Sequence, residues 1–538
     1  MKLKDAKEWK LLGTKVRRID SPEKITGKAQ YGIDVSFPGL RTAVVARPPA
    51  FGAKLVKFDG AAAMKVPGVE NVVAAGNGVA VVAKHFWAAK LGRDALVVEW
   101  SKPEGGGVDT AKQLAEFRET AQKPGAIVAQ TGKIDAGLKA AKASLTAMYD
   151  FPYLAHATME PLNCAVKIDG DKVEIWTGTQ FQTGDQMAAA GIAGTTPDKV
   201  TIHTMFLGGG FGRRATPTAD FVSEAVMVAK AAKVPVKVVW TREDDLRGGY
   251  YRPSYVHRVQ VGVDAAGLPM AWDHVVVGQS IGAGTPLEPF LVKNGIDATS
   301  IEGLAESPYL EKAVDRRITL HSPKTAIPVL WWRSVGNTHT AFVMESMVDE
   351  LAHNAKKDPL EYRLALLKGR PRHAAALKLA AEKAGWGKTL PARSGMGVSL
   401  LNAWNSIVAL VLELSVDADG TVKVQRMTTA VDCGTVINPD TVVAQVQGGQ
   451  VFGLTAALYG TLTLDKGRVQ QSNFHDYQML RMNEMPVMDV HLLKGSGEPG
   501  GMGEIGTSMV APAFVNALFA ATGKRFRSYP VPSEELKA

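Results

Sequence analysis

Short apolar runs separated by polar turns fill the first hundred positions. "TAVVA" (42–46) and "GVAVVA" (78–83) read as buried strands, and "HFWAAKLGRDA" (85–95) carries the wider spacing of a helix. The Gly-rich "SKPEGGGVD" (101–109) then reads as a linker. Beyond it, "KVEIWTGT", "KVTIHTMF" and "PVKVVW" predict strands, "TADFVSEAVMVAKAAK" a helix, and "TAFVMESMVDELAHNAKKDPLEYRLALLKG" a helical stretch. After a break at "GWGKTLPARSG", "SIVALVLELSVDADGTVKVQRMTTAVDCG" predicts a β-hairpin turning on Asp-Ala-Asp-Gly. The pattern predicts a mixed α/β (α+β) protein in three parts: a small domain over 1–105, a larger one over 106–384 and a last one over 385–538.

Length supports the division, since 538 residues exceed what one core organises. Apolar residues at 46% and charged residues at 21% are ordinary globular values. No uninterrupted apolar run of membrane-spanning length occurs, so a soluble protein is expected. The formal charge of +9 is spread along the chain, which argues against nucleic acid and is compatible with an anionic small ligand. Two cysteines, Cys164 and Cys433, can build neither a disulfide framework nor an iron–sulfur site. With no His-Glu-x-x-His or Cys-x-x-Cys, a metal would have to be held by something other than a protein cage. The charged start, "MKLKDAKEWK", lacks the apolar core of a secretory signal.

The strongest local motif is "TMFLGGGFGRRATPTADF" (204–221). A strand runs into Gly208, Gly209, Gly210, Phe211 and Gly212, then Arg213 and Arg214, then a helix; this predicts an anion site made of backbone N–H groups, a helix N-terminus and guanidinium charge. A dinucleotide fold fits poorly, because the glycines are contiguous and the acids of "TREDD" come too late for a ribose contact. A serine hydrolase is a further alternative. "GQSIG" places Ser280 in a G-x-S-x-G frame with Asp432 and His475 following, although the "AGTPLEP" after it breaks the helix that a nucleophile elbow requires.

Near the C-terminus, "EPGGMGEIGTSMVAP" sets Glu504 among Gly500, Gly501, Gly503 and Gly506, as if a bulky group had to approach the backbone closely. Alone it could be a surface turn. Three other segments mix polar and apolar residues: "WTGTQFQTGDQ" around Gln180, "VLWWRSVGNTHTAFVMES" around Arg333, and "VDCGTVINPDTVVAQVQGGQVFG" around Gln445.

Together, "GTQ", "GGGFGRR", "WWRSVGNTHTAFVMESMVDELA", "VDCGTVINPDTV" and "GMGEIGTSMVAPAFVNALFAATGKRFRSYPV" resemble the molybdenum-binding subunit of the xanthine oxidase and aldehyde oxidase family. The isoquinoline 1-oxidoreductase beta-subunit branch is the most similar, and "TGKAQYGIDVSFPGL" is similar to the start of that family's small a/b hammerhead domain. The resemblance implies a hammerhead domain followed by two large molybdopterin-binding domains. It implies a molybdenum held by the dithiolene of a pterin cofactor, in bacteria the molybdopterin cytosine dinucleotide, whose anionic tail would account for the glycines. The implied reaction is hydroxylation of an aldehyde or N-heteroaromatic carbon with oxygen from water.

By residue-level match, Glu504 is the general base, Gln180 donates to a metal oxo group, and Arg333 stabilises charge on substrate oxygen, so the catalytic set is Glu504, Gln180 and Arg333. Gly209, Gly210, Phe211, Gly212, Arg213, Gln445, Gly503, Thr507 and Ser508 are expected at the cofactor, with Gln180, Phe211 and Arg333 around the metal. Ala215 stands where purine-oxidising relatives carry a glutamate, and Trp332 and Val335 where they carry phenylalanines, so xanthine is a poor substrate; Trp331, Trp332 and Trp404 could shape an aromatic pocket. The family's Glu-Met-Gly-Gln-Gly segment is absent from this chain and is expected on a separate or cleaved N-terminal piece. A small 2Fe-2S subunit is expected to take the electrons, with a cytochrome c as the next acceptor. The resemblance favours the periplasm, with the cytoplasm as the alternative. A non-catalytic scaffold of the same fold is the remaining alternative.

Overall fold

The computed structural model describes residues 4–103, 106–495 and 497–538; Glu104 and Gly105 of the expected linker lie outside them. Three larger sheets organise the described residues, beside three two-stranded ones. The first has seven strands in the order Val200–Thr204, Lys172–Thr177, Asn163–Asp169, Val236–Val239, Arg41–Ala46, Gly78–Ala83 and Val69–Ala75. Its two halves join through a parallel pairing in which Arg41 lies opposite Val236 and Ala43 opposite Val238. The first sheet therefore runs across the expected boundary near 105. Val45, Val82, Val166 and Val238 share one apolar cluster with the helix Asp220–Ala232, so burying this face of the strand Arg41–Ala46 requires residues from well beyond 105.

The second sheet has five strands, ordered Ala126–Thr131, Asp315–His321, Pro269–Gly278, Tyr255–Val263 and Ala143–Phe151. The third has four: Ser394–Ala403, Ser406–Val416, Val422–Asp432 and Val487–Leu492. The expected hairpin is present, closed by the Asp417 N–H to the Thr421 carbonyl at 2.9 Å, with Gly420 at φ +87°. Both sheets contribute to one core with the helices Asn337–Asn354 and Val510–Thr522.

The helical stretch expected from 340 divides into Asn337–Asn354 and Pro359–Leu366, because Pro359 opens a new helix that Asp358 caps by accepting the Leu360 and Glu361 N–H groups. The first of these helices is buried on every side from Asn337 to Ala352. Its carboxylates survive burial by pairing: Glu345 with Arg363 at 2.8 Å, Asp349 with Arg525 at 2.8 Å and Glu350 with Arg527 at 2.7 Å. This rigid helix carries the turn 333–336 at its N-terminal end, where the site is built.

Candidate active site

Gln180 sits between the strand Lys172–Thr177 and the helix Gln182–Ala193. The Thr179 hydroxyl donates to Asp185 and accepts the Phe181 N–H at 2.9 Å, which pins the backbone on either side of Gln180. Burial pushes the Asp185 carboxyl up to about 7. Gln180 Oε1 accepts the Gly212 N–H at 3.3 Å, and its Nε2 has no protein partner among the described residues.

The glycine loop owes its glycines to crowding. Gly209, Phe211 and Gly212 adopt φ of +103°, +56° and +109°, and a Cβ on Gly212 would strike the Trp331 carbonyl oxygen. The Phe211 ring stacks on Phe452, with centroids 4.3 Å apart, and Phe452 stacks likewise on Trp332. Trp332 is thus buried in a stack, with its indole N–H donating to the Ala155 carbonyl at 3.2 Å, while Trp331 is half-buried.

The two arginines do not supply the free guanidinium charge that the sequence of the loop suggests. Arg213 is buried against Asp220 at 2.7 Å, and Arg214 against Glu160 at 3.0 Å, with further bonds to the Gly209, Gly178 and Glu160 carbonyls. Both guanidinium groups hold the loop together and neither is free to meet a ligand, so the Arg213 side chain, expected at the cofactor, is instead paired inside the protein. The helix begins only at Asp220, so its N-terminus is taken up by the Arg213 pair and does not directly continue the glycine loop.

The turn after Trp332 joins the loop to the C-terminal segment. The Arg333 N–H donates to the Phe211 carbonyl at 2.9 Å, and its guanidinium is steered by the Gly503 carbonyl at 2.7 Å and the Gln445 carbonyl at 3.4 Å. Burial lowers the Arg333 pKa and the neighbouring Glu504 charge opposes that shift; the guanidinium stays cationic at neutral pH. Ser334 and Val335 take φ of +88° and +47°, a conformation costly for a β-branched residue. The strain aims the Ser334 N–H at Glu504 Oε1, 3.0 Å away, while the Ser334 hydroxyl donates to the Glu504 carbonyl at 2.7 Å and lies 3.3 Å from the Ser508 hydroxyl. Glu504 Oε2 has no hydrogen-bond partner among the described residues.

The glycines around Glu504 serve protein packing more than a ligand. A Cβ on Gly500 would strike the Ser406 hydroxyl, one on Gly501 would lie 2.8 Å from Trp404 Cβ, and one on Gly506 would lie 2.8 Å from the Val446 carbonyl oxygen. Gly503 is different: beyond its chain neighbours, nothing stands closer to its Cβ position than Gln445 Nε2 at 3.7 Å. Gly448, facing Arg333 Nη1 at 3.9 Å, borders the same open space.

Among the described residues, no group of three or more His, Cys, Asp or Glu side chains could hold a metal ion. A metal carried on an organic cofactor is a different matter. Gln180 is exposed and its Nε2 has no protein partner among the described residues, the Thr507 hydroxyl is buried without a partner, and Gly503 and Gly448 leave a cradle beside Arg333 and Glu504. These residues fit an oxygen-rich group set against Glu504. A separate cavity of ≈ 980 Å³, lined by Arg47, Arg93, Trp100, Asp244 and Arg468, contains none of them.

Two models of the molybdopterin cofactor-binding domain match this chain, one over residues 119–366 and the second over 370–486. The beta subunit of isoquinoline 1-oxidoreductase from Brevundimonas diminuta is 34% identical, across 98% of this chain and 69% of that protein. The chain belongs to the molybdenum hydroxylase family. A membrane-bound aldehyde dehydrogenase (pyrroloquinoline-quinone) of Gluconacetobacter polyoxogenes is 31% identical to this molybdenum hydroxylase subunit, across 99% of it and 74% of the relative. Quinoline 2-oxidoreductase from Pseudomonas putida 86 shares the fold, with a TM-score of 0.79, 15% identity, and coverage of 98% of this chain and 97% of that one.

Within the hydroxylase fold, Gln180, Phe211, Arg333, Gln445, Gly503, Glu504 and Ser508 are connected through the contacts above, the Thr507 N–H donates to the Glu504 carbonyl at 3.0 Å, and Gly209, Gly210 and Gly212 line the same loop. Ser334 was not legible as a site residue: nothing in "WWRSVGN" announces that its amide holds a carboxylate 170 positions away. His156 is equally silent in sequence, yet its ring bonds the Trp331 carbonyl at 2.7 Å beneath Gly212, and burial pulls it down to about 3, so it is neutral. The serine hydrolase has no site. Ser280 bonds Asp297 at 2.7 Å, Asp432 is paired with Arg372 and His475 lies beside Asp476, so the three expected residues face different partners.

Proposed function

We propose that this chain is the catalytic molybdenum subunit of an oxidoreductase that hydroxylates a neutral aldehyde or N-heteroaromatic carbon. The observation that carries the reading is Glu504: one carboxylate oxygen is fixed by the Ser334 amide and the other is open, beside an Arg333 held by two backbone carbonyls. The cofactor, when bound, supplies the two-electron redox chemistry and the water-derived oxygen. Glu504 Oε2 takes the proton from the attacking hydroxyl, and the Ser334 N–H keeps the carboxylate in place as its charge changes. Arg333 stands where negative charge grows on substrate oxygen, and its carbonyl anchors spare it reorganisation during the reaction. Gln180 Nε2 and the Thr507 hydroxyl would hold the cofactor's polar edge.

The cytosine dinucleotide form of the cofactor, a 2Fe-2S partner subunit, a companion segment with the Gly-Gln-Gly motif, a cytochrome c acceptor and a periplasmic setting belong to this proposal by likeness to the family. The test is metal and nucleotide analysis of the complex purified from its native host, together with the variant Glu504→Gln. Expected are stoichiometric molybdenum, cytidine nucleotide on hydrolysis, and a drop of about 10²–10⁴ in kcat/KM for E504Q with molybdenum retained. A complex without molybdenum or pterin after molybdate-replete growth would overturn the assignment in favour of the scaffold.

A further inference from the structure

Two consecutive residues, Ala155 and His156, reach across to two consecutive residues of the site, Trp331 and Trp332. The Trp332 indole N–H donates to the Ala155 carbonyl at 3.2 Å, and His156 Nε2 lies 2.7 Å from the Trp331 carbonyl oxygen. This clamp is itself held. The Tyr477 hydroxyl accepts the Ala155 N–H and donates to the Ala155 carbonyl, both at 3.1 Å, and Ala157 takes a φ of +48°, in the left-handed region. A carbonyl oxygen only accepts, so the His156 proton sits on Nε2 and one tautomer serves; Nδ1 is buried without a partner. His156 is 2% exposed, and burial, with the Arg213 charge added, keeps it neutral.

We propose that His156 is a positioning residue of the active site, fixing the Trp331 carbonyl so that the glycine loop and the Arg333 turn keep one register. Gly212 rests on that carbonyl. A Cβ there would lie 2.0 Å from the Trp331 oxygen and 3.3 Å from His156 Nε2, so the loop backbone packs directly on the hydrogen bond. The Gly212 N–H in turn donates to Gln180 Oε1 at 3.3 Å, which leaves Nε2 as the end of that amide with no protein partner among the described residues. From the other side, the Arg333 N–H donates to the Phe211 carbonyl at 2.9 Å. A shift of the Trp331 carbonyl therefore moves both the amide that orients Gln180 and the backbone that carries Arg333. One buried imidazole thereby aligns the two side-chain donors that the reaction above uses, with no proton transfer asked of it.

Only the effect on turnover rests on the proposed function; the register is a property of the protein itself. The test uses the purified native complex with three variants: His156→Gln, whose amide nitrogen has the reach of Nε2, His156→Leu, which fills the space without a donor, and His156→Asn, whose amide nitrogen stops at the position of Nδ1. Hydrogen–deuterium exchange of the segments 207–216 and 329–336 reads the register, and steady-state kinetics read its consequence. Expected in H156L and H156N is exchange about tenfold faster in both segments. Their kcat should fall about 10²-fold, with KM changed less than about threefold and molybdenum retained. H156Q should restore both to near wild type. Circular dichroism checks folding, and H156N carries the comparison should H156L fail to fold. Wild-type exchange in the variants that lack the bond overturns the proposal. So does an H156Q as impaired as H156L, because the ring's shape and not its hydrogen bond would then matter. A complex without molybdenum whose exchange follows the expected order would remove the proposed function and leave the register role standing.

Discussion

At the scale of single residues, the site is decided by which partner each charged group has already found. Arg333, with its guanidinium anchored by two carbonyls and no carboxylate among the described residues hydrogen-bonded to it, keeps its charge unpaired, whereas Arg213 and Arg214 have spent theirs inside the loop. Arg333→Met should therefore lower kcat by about 10²–10³ with little change in melting temperature, measured by steady-state kinetics and calorimetry. Glu302 makes a stability prediction. Its folded pKa lies near 7 against an unfolded value of 4.5, so the folded state holds the proton more tightly, and stability is lost as pH rises from about 4.5 to about 7. Glu302→Gln removes that loss. Its melting temperature relative to wild type should climb across this window and level off above it; a difference independent of pH would contradict the raised Glu302 pKa.

At the scale of elements, two helices set the geometry. The helix Val510–Thr522 lies directly on the strand Ser394–Ala403 because Gly395 and Gly397 leave room for its backbone: a Cβ on Gly397 would strike the Ala513 carbonyl oxygen. Residues 503–509 lead straight into that helix, so the position of Glu504 is inherited from the packing. Gly397→Ala should cost about 1–3 kcal/mol by overpacking and should also lower molybdenum content, which chemical denaturation and metal analysis would read separately. The other helix, Asn337–Asn354, was legible in the sequence as helical but not as buried on all sides. Its Glu345, Asp349 and Glu350 look like a solvated face until Arg363, Arg525 and Arg527 arrive from elsewhere in the chain.

At the scale of the molecule, the seven-stranded sheet ties the beginning of the chain to its middle. Ala43 and Val45 belong to the same cluster as Val166, Val226 and Val238. Residues 1–105 expressed alone should consequently show no cooperative thermal transition, whereas a chain extended through 240 regains the sheet's missing strands; circular dichroism melts of the two fragments check this. The same connectivity brings Arg93 of the first hundred residues to Asp244 at 2.8 Å.

The sequence by itself determined the elements and the inventory of chemistry. Apolar spacing is a local property, so the strands of the hairpin 406–432, the helix near 220–232 and the glycine loop could be read from neighbouring residues alone, and motif order along the chain was enough to point to a molybdenum hydroxylase. The tertiary structure decided the allocation of charges and space. Arg213 and Arg214 read as anion ligands because an arginine after glycines carries no mark of the acid it will meet, and the glycines about Glu504 read as room for a ligand because Ser406, Trp404 and Val446 are distant in sequence. Ser334 holding a carboxylate depends on backbone direction in a strained turn, which composition does not encode. Burial and pairing are set by contacts across a hundred or more residues, and only the folded chain shows which polar groups are consumed and which, like Glu504 Oε2 and Gln180 Nε2, remain to act.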